Sequence, residues 1–192
     1  PPMPPTPEFL AAAAEMGIEF EAVDLARLQR YLELLLAANR TTNLTAITDP
    51  AAAWMKHIFD AMTLLPLLAS LEPEDAQAAA SAPRIIDLGS GGGVPAIPLA
   101  IVLPAFEFTL VEATGKKVTF LRETAAALGL ANVTVLQDRA ERLGQDHKAH
   151  RERYDAATAR ALGHLAVVVE LAGPLVRPGD GVLAVKGAKA EQ

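Results

Sequence analysis

The chain has 192 residues, 51% hydrophobic and 21% charged, which suits one α/β-sized domain, alone or with a small appendage, and makes global disorder a poor description. Cysteine is absent, so disulfides, zinc-thiolate sites and every mechanism with a Cys nucleophile are excluded. The net charge of −6 confines any nucleic-acid contact to a local basic patch.

Residues 1–7 (Pro-Pro-Met-Pro-Pro-Thr-Pro) are expected to form neither helix nor ladder and to make a loose lead-in. A short helix is predicted from Glu8 to about Gly17. Leu25, Leu28, Leu32, Leu35 and Leu36 recur at helical spacing and predict a second, amphipathic helix from Asp24 to about Asn39, broken by Asn39-Arg40-Thr41-Thr42-Asn43. Asp49-Pro50 reads as an N-cap followed by proline in the first turn, opening a helix through about Leu68. Residues 71–83, rich in Ala, Glu, Ser and Pro, read as a linker.

Beyond the linker, strand and helix alternate. Strands are expected at Arg84–Leu88, Phe106–Glu112, Val133–Leu136, Ala156–Ala159 and Gly181–Lys186. Helices are expected up to Val102, from Lys116 to Leu128, and from Leu162 to Ala172. This order predicts an open, mostly parallel sheet with helices on both faces. Such sheets bind ligands beyond the carboxyl ends of their strands, where strand order reverses.

The strongest motif is Ile85-Ile86-Asp87-Leu88-Gly89-Ser90-Gly91-Gly92-Gly93-Val94-Pro95, a buried strand running through a glycine turn into a helix. Glu112 ends the next strand, where a carboxylate can accept hydrogen bonds from both hydroxyls of a ribose. The dinucleotide fingerprint is not met, because Val94 stands where its last glycine belongs, and the Gly-Lys-Ser/Thr phosphate loop is absent. Asp87 would repel a pyrophosphate and suits a cationic ligand. S-adenosylmethionine carries a ribose, an adenine, a sulfonium and an ammonium group but no phosphate, which points to a methyltransferase.

Asn43-Leu44-Thr45-Ala46-Ile47, Lys56-His57-Ile58-Phe59-Asp60-Ala61, the run from Asp87 to Leu99, Leu110-Val111-Glu112, Lys116 to Leu121, Arg139-Ala140-Glu141, Ala159-Arg160-Ala161 and Val185-Lys186-Gly187 keep one order over residues 20–187. Together they resemble the bacterial 16S rRNA (guanine-N7) methyltransferase G family, also called glucose-inhibited division protein B. The doubled proline of Val94-Pro95-Ala96-Ile97-Pro98-Leu99 and the upstream Asn-Leu-Thr carry more of the match than the glycines. Ala96 departs from the family, which has glycine there.

The resemblance implies a Rossmann-like S-adenosylmethionine-dependent methyltransferase sheet of seven strands with a helical N-terminal extension. With the linker at 71–83 already read from composition, the chain is expected to divide into a helical extension (1–70), which the resemblance puts on the substrate side, and the methyltransferase core (84–192). The resemblance also implies methyl transfer to a guanine of 16S rRNA, free or in the 30S particle. Carried over by motif, Gly89, Gly91 and Val94 line the cofactor, Glu112 holds its ribose, Ala140 and Glu141 flank the adenine, and Arg160 stands at the methyl-transfer end. The sequence stops after its fifth strand, short of the antiparallel pair that ends the fold, and begins with Pro, so it reads as trimmed at both ends.

Guanine N7 carries a free lone pair, so its methylation needs positioning rather than a general base. No Asp/Asn-Pro-Pro-aromatic motif for exocyclic amines follows the fourth predicted strand, and no cysteine serves carbon-5 chemistry. These absences leave both ring-nitrogen and oxygen acceptors open. Arg160 is the expected catalytic residue, with a salt bridge to Asp87 or Asp155 as its structural alternative; Lys186 shares that ambiguity. Lys116 and Lys117 open a helix where cations are unfavourable, which a phosphate partner would offset. Arg139, Arg142, Lys148, Arg151 and Arg153 read either as a solvated helix face or as an RNA contact. His57 and Asp60, at i and i+3, read as a structural pair or an RNA contact, with metal binding unsupported by further ligands. Asn43 is expected to organise its loop by side-chain-to-backbone bonds, near the substrate. A cytoplasmic monomer without membrane attachment is expected, since no apolar run reaches the roughly 20 residues of a bilayer span and no signal segment opens the sequence. A small-molecule or protein methyltransferase, or a non-catalytic cofactor-binding relative, is the alternative.

Overall fold

The computed structural model describes residues 2–71, 81–160 and 165–185; most of the predicted linker, the predicted start of the last helix at Leu162, and Lys186 lie outside them. The N-terminal part holds α1 (Pro7–Glu15), α2 (Ala22–Thr42), α3 (Pro50–Ala53), a π-helical turn (Trp54–Phe59), α4 (Asp60–Met62) and α5 (Leu65–Ala69). Two starts are capped as side-chain chemistry dictates. The Thr6 hydroxyl accepts from the Phe9 amide, and the Asp49 carboxylate accepts from the Ala52 amide at 2.7 Å, each with proline in the first turn. On α2, Leu28, Tyr31, Leu32 and Leu35 are fully buried, while Leu25 and Leu36 pack at the margin.

The single helix predicted from Pro50 to Leu68 is broken. It widens into the π-helical turn and then turns at Thr63–Leu64. Pro66, in the first turn of α5, has no amide hydrogen to offer the preceding turn, so the ladder cannot run through it.

The sheet consists of β1 (Arg84–Leu88), β2 (Glu107–Glu112), β3 (Val133–Gln137), β4 (Tyr154–Arg160) and β5 (Val176–Val185), in the order β3-β2-β1-β4-β5. Every pairing is parallel. The connecting helices are α6 (Ala96–Val102), α7 (Gly115–Ala127), α8 (Ala140–Leu143) and α9 (Leu165–Ala172). The predicted bounds of β1 agree with the structure; β5 begins earlier than expected, at Val176 rather than Gly181. Five of the seven strands that the resemblance implies lie among the described residues.

Strand alternation sorts the core into two layers. Ile85, Phe108 and Leu110 face a cluster shared with α1, α2, α6 and α7. Ile86, Leu88 and Val111 face a second one with Leu143 of α8 and Val168 and Ala172 of α9. The first cluster is continuous from Phe9 and Trp54 to Ile97 and Leu121, so the N-terminal helices and one face of the sheet share a single core. The Trp54 indole N–H, buried in it, donates to the Met3 carbonyl at 3.1 Å. No helix among the described residues is long and apolar enough to cross a membrane.

Candidate active site

Strand order reverses between β1 and β4, and their carboxyl ends lie side by side, Leu88 opposite Ala159. A cleft of about 740 Å³ opens there, within the roughly 300–1,000 Å³ usual for a small-molecule site. Its wall collects residues that follow four strands: Gly89, Gly91, Gly92 and Val94 after β1, Glu112 at the end of β2, Arg139, Ala140 and Glu141 after β3, and Arg160 at the end of β4. The N-terminal part adds Leu35, Leu44, Thr45, Ala46, Ile47 and His57.

Backbone geometry shapes the glycine turn. Gly91 has φ 53° and donates its amide to Glu112 Oε2 at 2.8 Å; the Thr114 amide donates to Oε1 at 3.0 Å. A carboxylate offers about four lone-pair sites, so Glu112 keeps acceptor capacity for a pair of hydroxyls. Gly93 has φ 92°, and a Cβ there would lie 2.6 Å from Ile97 Cγ1. From the other side, the Tyr31 hydroxyl on α2 donates to the Gly92 carbonyl at 2.8 Å, fully buried. Burial pushes the Tyr31 phenol far above its ordinary range, so it stays a neutral donor.

Asp87 is buried at the end of β1 and does not line the cleft. Its Oδ1 accepts from the Thr158 hydroxyl at 2.7 Å, while Oδ2 has no partner among the described residues. Loss of hydration raises its pKa to about 7, against the hydrogen bond from Thr158; the Ser90 hydroxyl donates to the Asp87 main-chain carbonyl instead, at 3.2 Å.

Arg160 makes neither predicted salt bridge. Asp155 is taken by the Arg177 guanidinium and the Arg84 amide, and Asp87 by Thr158. Instead, one terminal nitrogen of Arg160 donates to His57 Nδ1 at 3.0 Å and the other to the Lys56 carbonyl at 2.9 Å. Both partners lie in the π-helical turn, a distortion frequent at functional sites. Burial and the neighbouring guanidinium lower the His57 pKa to about 4, so the imidazole is neutral near pH 7.

Several sequence expectations are corrected. Asn43 is exposed and caps α2 in the left-handed region at φ 48°; Asn39, one turn earlier, organises the loop. Its Oδ1 accepts from the Leu44 and Thr45 amides at 2.6 and 2.9 Å, and its Nδ2 donates to the Thr45 carbonyl at 2.8 Å. Lys116 is exposed and outside the cleft wall, whereas Lys117, about 100° further round α7, lines it. The predicted basic helix face is not a helix over residues 144–153. That stretch is mainly turns, where Arg151 and Arg153 bind the carbonyls of Gly144 and Lys148. Asp60 makes no pair with His57, whose ring is held by Thr45 and Arg160.

Comparison with known proteins gives the family. The family model described as GidB, rRNA small subunit methyltransferase G, matches residues 24–192. The chain belongs to this family. It is 46% identical to the ribosomal RNA small subunit methyltransferase G of Sorangium cellulosum, over 100% of this chain and 76% of that protein. With the protein of the same name from Leuconostoc citreum it shares 39%, over 96% of this chain and 74% of the relative. Among solved structures, a putative O-methyltransferase from Klebsiella pneumoniae superposes with a TM-score of 0.59 at 16% identity, covering 94% of this chain and 71% of that one. At that identity the likeness shows the fold alone, the Rossmann-like α/β methyltransferase sheet expected of the family.

Proposed function

We propose that this chain transfers a methyl group from S-adenosylmethionine to N7 of a guanine in the 16S rRNA of the small subunit. Family membership supports both the cofactor and the rRNA substrate. The observation that carries the reading is the convergence of a glycine turn, a ribose-competent carboxylate and an arginine at one reversal of the sheet.

The residues present fit S-adenosylmethionine. Gly89, Gly91 and Val94 would leave its methionine part close to main chain, and Glu112 would accept from its ribose hydroxyls. Ala140 and Glu141 would flank its adenine. Asp87, with an unpartnered buried oxygen, supplies negative potential beneath the turn, which suits a cation and opposes a phosphate. The cofactor supplies an electrophilic methyl on a sulfonium.

The chain's own part is to bind, orient and exclude water. N7 needs no deprotonation, and the cleft offers no free base in the one imidazole found among its described residues: His57 Nδ1 is occupied by Arg160. With two of its five N–H groups committed to His57 and Lys56, Arg160 holds a fixed plane and keeps donors for the substrate. The reading places the enzyme in the cytoplasm, acting on rRNA or the 30S particle as a monomer.

Mass-spectrometric nucleoside mapping of 16S rRNA, after incubation with labelled S-adenosylmethionine, tests this. A single 7-methylguanosine is expected, falling by more than about a hundredfold in rate with Arg160→Ala. Transfer to no guanine, in free or assembled rRNA, would reject it.

A further inference from the structure

We propose that the Thr45 hydroxyl donates a hydrogen bond to O6 of the target guanine, and that His57 is the positioning residue that leaves its hydrogen free to do so. The proposal rests on the guanine-N7 reading above.

The argument is a count of donors along one chain of contacts. An arginine side chain has no acceptor, so the Arg160 N–H at 3.0 Å from His57 Nδ1 requires a lone pair on that nitrogen. A neutral imidazole with Nδ1 accepting must carry its hydrogen on Nε2. Nε2 lies 2.9 Å from Thr45 Oγ1, so the ring donates and the hydroxyl accepts. The Ile47 amide donates to the same oxygen at 3.0 Å. Both lone pairs of the hydroxyl are then used, and its hydrogen has no acceptor among the described residues. Thr45, His57 and Arg160 all line the cleft. The unspent donor therefore belongs to whatever enters it.

Guanine fits this donor and adenine does not. The edge of guanine that carries N7 presents N7 and O6, both acceptors, whereas adenine presents an amino donor beside its N7. N7 must keep its lone pair for the methyl group, so the hydroxyl pairs with O6. A site built around such a bond rejects an analogue lacking the partner, because a buried donor is then left unpaired.

The test uses the full-length enzyme with 16S rRNA in which the target guanine is replaced by 2-aminopurine, which lacks O6. Methyl transfer by the wild type to the guanine substrate is a separate readout of the N7 reading; its absence would overturn both claims. Given that transfer, 2-aminopurine is expected to lower kcat/KM roughly ten- to a hundredfold for the wild type. Thr45→Val is expected to show a loss of that size on guanine and no further loss on 2-aminopurine, with cofactor affinity unchanged. Thr45→Ser is expected to stay within about threefold of wild type. His57→Gln, which can accept from Arg160 and donate to Thr45, should preserve the discrimination that His57→Phe abolishes. Thermal melts establish that each variant folds. A Thr45→Val enzyme that folds and still prefers guanine to 2-aminopurine as strongly as the wild type would overturn the proposal.

Discussion

The cleft wall at the ends of β1 and β2 is held by main-chain groups, whereas the wall facing it from the N-terminal part is held by side chains. On the first, the amides of Gly91 and Thr114 grip Glu112, and the turn passes through positive φ at Gly89, Gly91 and Gly93. On the second, Asn39 holds Thr45, Thr45 holds His57, and His57 meets Arg160 from β4, 103 residues away in sequence. A wall built of backbone tolerates little change in shape but serves any ligand with the right outline. A wall built of side chains can discriminate by donor and acceptor, and one substitution can retune it. Under the proposed function, the first wall would face a cofactor common to many enzymes and the second a substrate particular to one.

The comparison breaks first at Gly93. Gly93→Ala must place a Cβ 2.6 Å from Ile97 Cγ1 while holding φ near 92°, a region costly for residues with a Cβ. We expect a loss of about 2–5 kcal/mol in urea unfolding, with the cofactor's stabilising effect lost as well. A variant as stable as the wild type would mean that the turn is not the rigid element described.

A second effect, spread over about three pH units, separates the walls by pH. Asp87 has a folded pKa of about 7 against an ordinary value of 3.8, because burial penalises its charge. Between those values the unfolded chain has released the proton and the folded chain retains it. Stability therefore falls as pH rises from about 4 to about 7, by roughly 1 kcal/mol per unit, and levels off above. Asp87→Asn should flatten this component of the profile. Saturation with S-adenosylmethionine should shrink it too, because a cation near the carboxylate lowers its pKa; an unchanged slope would place the cofactor's charge elsewhere.

The two walls also differ in how far they can be read from sequence. The glycine turn, the bounds of β1 and the positions of Glu112 and Arg160 at strand ends follow from local pattern: a short apolar run, a turn, and a polar residue where the run stops. The side-chain wall depends on contacts between distant segments, which no local pattern encodes. His57 and Arg160 each stand out in the sequence, yet nothing in their spacing shows that they meet. Asn43 and Asn39 bracket the same loop, and the choice between them turns on which amide faces back across it. Thr45 stands within the Asn-Leu-Thr run with no local sign of a role of its own. Pro66 signals the break before α5, but the capped start at Asp49-Pro50 conceals it.

The smallest expected effect sharpens the comparison most. Asn39 lies outside the cleft wall, and all three of its loop bonds go to main-chain atoms of Leu44 and Thr45. Asn39→Ala removes them without touching the glycine turn, Glu112 or Tyr31. If the walls act separately, its cofactor affinity by titration calorimetry stays within about twofold of wild type, while kcat/KM for rRNA falls roughly tenfold, the equivalent of about one net hydrogen bond. Asn39→Asp keeps both acceptor bonds but sets a carboxylate oxygen against the Thr45 carbonyl, so it should fall at least as far. A parallel loss of cofactor affinity in either variant would show that the substrate loop and the cofactor turn move as one unit, joined through α2, where Tyr31 already reaches the Gly92 carbonyl.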